Sequence, residues 1–106
     1  MDTSREIARI IESNFNIKLP ERELDSESAY FKQLHMALSA RIKYFIRTDI
    51  DKLLQALYRI DINDKLSDEA FNLGEINKVS EKLSELIILR QIKKLEYSKN
   101  YNRNSE

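Results

Sequence analysis

The chain has 106 residues, room for one hydrophobic core and not two, and contains one Gly, one Pro and no Cys. So few turn formers among abundant Leu, Ile, Glu, Lys and Arg argue against a β-rich fold, and the absent cysteines exclude disulfides, thiolate metal sites and a cysteine nucleophile. Its 18 basic and 18 acidic residues cancel, so no global field draws the chain onto nucleic acid or an anionic membrane.

The charge is nevertheless arranged in blocks. Residues 1–30 and 61–89 carry an acidic excess, residues 31–60 and 90–106 a basic one, so antiparallel neighbours have complementary faces. MDTSREIARI lacks the uninterrupted apolar stretch of a signal peptide, and the longest apolar run, Leu86 to Leu89, falls far short of the roughly 20 residues a bilayer span requires. A cytoplasmic protein without membrane contact is expected.

In chain order, Ile7, Ile10, Ile11 and Phe15 recur at helical spacing behind Thr3 or Ser4 as N-cap, which predicts an amphipathic helix near 4–15. A connector around Pro20 follows, with Leu19 and Leu24 as its anchors. Phe31, Leu34, Leu38, Ile42 and Phe45 keep one face of a second helix over 27–47. Thr48, with Asp51 three residues later, resembles a capping box for a third helix over 49–60. On that helix Ala56, Ile60, Leu53, Leu57, Ile50, Leu54 and Tyr58 fill a continuous apolar arc of roughly 200°, which predicts contact on more than one side and makes it the most buried element.

DINDKLSDEAFN reads as a turn-like connector in which Ser67 caps a short helical turn at 68–72. Asp61, Asn63 and Glu69 match three positions of a calcium loop, but Leu66 stands where that loop needs Gly and Asn72 where it needs a bidentate Glu, which excludes a calcium site. Asn72, with Glu75 behind it, is the expected N-cap of a last helix over 73–98, and Gly74 either lies in its first turn or ends the preceding one. Residues 99–106 read as a polar, flexible tail.

The last helix carries two apolar stripes. Ile76, Val79, Leu83, Leu86 and Ile87 form a core stripe; Ile88, Ile92 and Leu95 lie on the back with Leu89 beyond them, while Arg90 and Lys94 continue the core line. Both stripes cannot face one flat partner. The N-terminal helix or the tail can cover the second stripe, a second copy of the chain can do so, or a helix of another protein can dock there. The expected arrangement is a homodimer with Ile88, Leu89, Ile92 and Leu95 as its interface.

Chemistry has little to work with. His35 is the single histidine and borders the main stripe of the second helix, so it builds neither a histidine metal site nor a catalytic triad. Arg41 and Arg90 border or enter apolar faces, where their guanidinium groups fix helix register through a polar network or bind an anion. The basic stretch RQIKKLEYSKNYNR, with Tyr97 and Tyr101 interleaved, is a weaker signal for nucleic acid, because cations near a helix C-terminus also complement the macrodipole.

FIRTDIDKLLQALYRIDINDKL followed by LSELIILRQIKKL resembles a set of short, uncharacterised bacterial helical proteins that pair an LYRID-type motif with a downstream LIIxRQ-type motif. The resemblance covers residues 45 to 95. It implies a bacterial, cytosolic, all-helical protein, supplies no activity, and draws attention to Tyr58, Arg59, Asp61, Arg90 and Gln91, which with Arg41 make the expected polar network. The sequence thus predicts one all-α, four-helix bundle-like domain over 1–98 with an extra helical turn before the long last helix. It is read as a non-enzymatic protein–protein interaction module without cofactor or metal, self-associating through the last helix. The alternative is a nucleic-acid-binding accessory protein using the basic C-terminal stretch.

Overall fold

The structure, a computed structural model, describes residues 3–18 and 27–104, with side chains over 5–18 and 29–97. It is all-α: α1 Thr3–Phe15, α2 Glu27–Thr48, α3 Ile50–Arg59, α4 Asp64–Phe71 and α5 Ile76–Asn104, with no strand among the described residues. The connector around Pro20, with Leu19 and Leu24, lies outside them. No described helix is long and apolar enough to cross a membrane.

α2 and α5 form the central pair; α1 and α3 pack on α2, α4 packs on α5, and α1 also reaches α3 and α5. The core follows from the apolar spacing. Ile7, Ile11 and Phe15 of α1 meet Leu34, Leu38 and Ile42 of α2, Leu53 and Ile60 of the α3 segment, and Leu83 and Ile87 of α5, all buried in one cluster. Burying each such side chain stabilises the fold by about 1.5–3 kcal/mol before conformational entropy is counted.

The helix ends differ from the sequence reading in instructive ways. α3 is capped by Asp49, which accepts from the Lys52 backbone N–H at 3.3 Å, and not by Thr48, which remains in α2 and donates to the Tyr44 carbonyl at 2.8 Å. α4 is a full two-turn helix capped by Asn63, whose Oδ1 accepts from the Leu66 N–H at 2.8 Å; Ser67 lies inside it, buried. In both places an Asx residue close to the expected cap took the role. Ser67 is a small side chain against the core.

Asn72 closes α4 instead of opening α5. Gly74 then turns the chain with φ 81°, in the left-handed region where a side chain is strained, although the space around it is open. Asn16 after α1 and Asp61 after α3 also take positive φ, which short polar side chains tolerate. α5 continues through residues 99–104, where a polar tail was expected; residues 105–106 lie outside the described part.

Candidate functional site

The expected association face on α5 is largely used within the chain. Ile88 is only 7% exposed, Ile92 and Leu95 are half-buried against the core, and Leu89 alone is open, at 46%. The cover includes α1: Ile10 and Asn14 share a small cavity with Gln91, Lys94 and Leu95. Between the two apolar stripes of α5 stand Ser80, Ser84 and Gln91, all fully buried. They join the stripes into one buried arc of roughly 180° around the helix.

Small hydroxyls let that arc meet α2 closely. The Ser84 Oγ donates to the His35 carbonyl at 3.2 Å and lies 2.9 Å from His35 Nδ1, so His35 is a half-buried structural partner of α5. Ser80 Oγ donates to the Ile76 carbonyl at 2.6 Å, which satisfies a hydroxyl that burial would otherwise leave unpaired.

α3 behaves in the opposite way. Leu53, Ala56 and Leu57 are buried, but Ile50, Leu54 and Tyr58 are 40%, 45% and 82% exposed. The wide apolar arc therefore splits, one half in the core and the other in water, and α3 is not the most buried element. Ile50, Leu54 and Tyr58, spaced four residues apart, make one continuous row along the outer face. A smaller apolar patch lies where exposed Leu66 of α4 and Leu89 of α5 line a cavity of about 410 Å³ with Ile62, Leu86, Arg90 and Lys93.

The six residues of the expected polar network separate into distinct roles. Arg41 of α2 donates through Nε to the Phe15 carbonyl and through Nη2 to the Asn16 carbonyl, both at 3.1 Å, closing the end of α1. Its guanidinium carbon lies 4.8 Å from the Tyr44 ring centre and 4.7 Å from that of Phe45, which fixes its plane. Arg59 of α3 donates through Nε to Asn14 Oδ1 at 3.2 Å and through Nη2 to the Asn14 carbonyl at 3.4 Å. Asn14 is held by its own Nδ2, donating to the Ile10 carbonyl at 2.8 Å. Two arginines from two helices thus take up the last two carbonyls of α1, which no intrahelical donor reaches, and that of Asn16 just beyond it.

Gln91 does the same for α3, its Nε2 donating to the Ile60 carbonyl at 3.4 Å. Asp61, one residue on, pairs with Lys94 of α5 at 2.9 Å, and the hydrogen bond and charge of that ammonium hold its carboxyl below the usual aspartate value. Arg90 adds a weaker pull on the same carboxylate. Tyr58 stands apart in solvent. Arg41 and Arg90 line different cavities, so Arg41, Tyr58 and Arg90 do not converge on one pocket.

The two α1-capping arginines also shape a groove of about 670 Å³ between α1, α2 and α3, whose lining includes Asn14, Asn16, Tyr44, Asp49, Lys52 and Gln55. Asn14, Asn16 and Lys52 escaped the sequence reading, because nothing in their spacing shows that α1 ends beside the α2–α3 corner. Among the described residues no group of three His, Asp or Glu side chains is placed to hold a metal ion. Compared with known proteins, the chain matches no family, no curated protein and no solved structure.

Proposed function

We propose that the chain is a non-enzymatic helical interaction module that self-associates weakly through the outer face of α3. The observation carrying this reading is the row Ile50, Leu54 and Tyr58, large apolar side chains left in water on a helix whose other face is core. The row suits a second copy. A two-fold axis at Leu54 sets two antiparallel α3 helices against each other, Leu54 on Leu54 and the smaller Ile50 against the larger Tyr58. Removing the exposed parts of both rows from water yields roughly 5–10 kcal/mol. Association itself costs about 4–15 kcal/mol, so the dimer is weak and concentration-dependent.

The test is molar mass by light scattering over a concentration series for the natural chain, Leu54→Lys and Leu89→Lys. The proposal requires a rise toward twice the chain mass that Leu54→Lys abolishes and Leu89→Lys leaves intact. A constant monomer mass at every concentration sinks it. A bacterial, cytoplasmic setting belongs to the same proposal and is supported by the LYRID and LIIxRQ resemblance.

A second reading, an accessory protein for nucleic acid, is favoured by Arg90, Lys93 and Lys94 lining one surface hollow with the exposed Tyr97. It requires salt-dependent oligonucleotide binding that Arg90→Glu with Lys93→Glu removes. Lys94 contributes less, being engaged with Asp61.

A further inference from the structure

We infer that the groove at the end of α1 is a binding site for a small phosphate-bearing molecule, gripped by Arg41, Arg59 and Lys52. Both arginines use the same side of the guanidinium group on α1: Nε and Nη2 of Arg41 reach Phe15 and Asn16, and Nε and Nη2 of Arg59 reach Asn14. Each keeps its end-on pair of N–H groups, on Nη1 and Nη2, without a described acceptor. That pair is the fork that recognises phosphate and carboxylate bidentately.

Charge points the same way. The C-terminus of α1 supplies about half a negative charge against two whole positive ones. The groove adds Lys52 and one carboxylate, Asp49, which caps α3 and offsets the lysine, so the arginines leave a net positive charge. No described carboxylate lies within ion-pair distance of either arginine. A carboxylate ligand would satisfy one fork; a tetrahedral dianion has oxygens for both forks and the lysine, which favours phosphate. Stacking on Tyr44 and Phe45 and the bonds to α1 hold Arg41 in place before any ligand arrives, so little ordering is needed on binding. The groove, at about 670 Å³, is larger than phosphate alone and accommodates a small phosphomonoester.

This site is separate from the proposed association face, since Lys52 lies roughly 160° around α3 from the row's centre. The 106-residue chain is titrated at constant ionic strength with inorganic phosphate, ribose 5-phosphate, adenosine monophosphate and acetate, followed by amide chemical shifts and by Tm. Saturable shifts at Asn16, Lys52 and Arg59, with phosphates binding more tightly than acetate, are expected. Lys52→Glu, a change at an exposed side chain, should weaken phosphate binding about tenfold or more while leaving fold and molar mass unchanged. Arg59→Lys, which keeps the charge and loses the fork, should weaken it too. Tighter binding of an ester identifies a phosphomonoester as the ligand, and equal binding identifies phosphate itself. Shifts that never saturate, or that persist unchanged in Lys52→Glu, overturn the site. Binding of a short oligonucleotide without any response to the small phosphates also overturns it.

Discussion

α3 and α5 invert one another. α3 leaves Ile50, Leu54 and Tyr58 in water, whereas α5 takes Ser80, Ser84 and Gln91 completely out of it. The contrast arises from position. α5 lies in the middle, against α2, α4 and α1, so its face must be wide and closely fitted, and small or well-bonded polar groups serve it as well as aliphatic ones. α3 sits at a corner, touching mainly α2 and α1, so half of its apolar arc has nothing to meet. Hydrophobic residues mark the possibility of burial; the number of neighbouring elements decides how much of it is realised.

The sharpest probe of this contrast is a pair of adjacent leucines. Leu53→Ala, in the core, should cost about 2–5 kcal/mol of unfolding free energy, and Leu54→Ala, next to it on the open face, no more than about 0.5 kcal/mol in dilute solution. Chemical denaturation measures both. Comparable losses would mean that α3 is covered on both sides. On α5, Ser84→Leu should destabilise by about 1–3 kcal/mol, because the fully buried site beside His35 has no room for two more heavy atoms and loses its hydroxyl. A neutral or stabilising result would show that the helix pair is loose there.

Arg41→Ala should cost about 1–3 kcal/mol and speed amide exchange in α1 more than elsewhere, since it removes two charged hydrogen bonds from the helix end. Arg59→Ala should do the same to a smaller degree. The smallest effect belongs to Asp61. Its carboxyl is held below the ordinary value of 3.8 by Lys94, so the folded state binds a proton less readily than the unfolded one. The pair's contribution is present above that ordinary value and disappears as pH falls through the lowered one. Asp61→Asn should therefore reduce stability slightly at neutral pH and flatten the acid limb of a Tm–pH profile, leaving the rest unchanged.

Much of this architecture was legible in the residues. The four main helices and the aliphatic cores of α1 and α2 follow from spacing alone, because a regular period of large apolar side chains has one cheap burial solution. On α5 the two stripes are legible as separate ones, because no local pattern shows that Ser80, Ser84 and Gln91 are buried between them; only the packed helices show that they close a single arc. Ile50 and Leu54 erred the other way: their arc announces apolar character without saying how many elements reach the corner. The six residues of the expected polar network divide into separate contacts. Arg41, Arg59, Gln91 and Asp61 all act at helix ends, but which carbonyls they meet depends on contacts between residues 25 to 45 positions apart, beyond any local pattern.

The most direct test of the central claim, that the chain associates through the exposed row on α3 and not through α5, is a dilution series followed by amide chemical shifts. Concentration-dependent shifts confined to Ile50, Leu54, Tyr58 and their neighbours are the predicted result. Shifts centred on Ile88, Leu89, Ile92 and Leu95, with α3 silent, would contradict it and return the association face to the last helix.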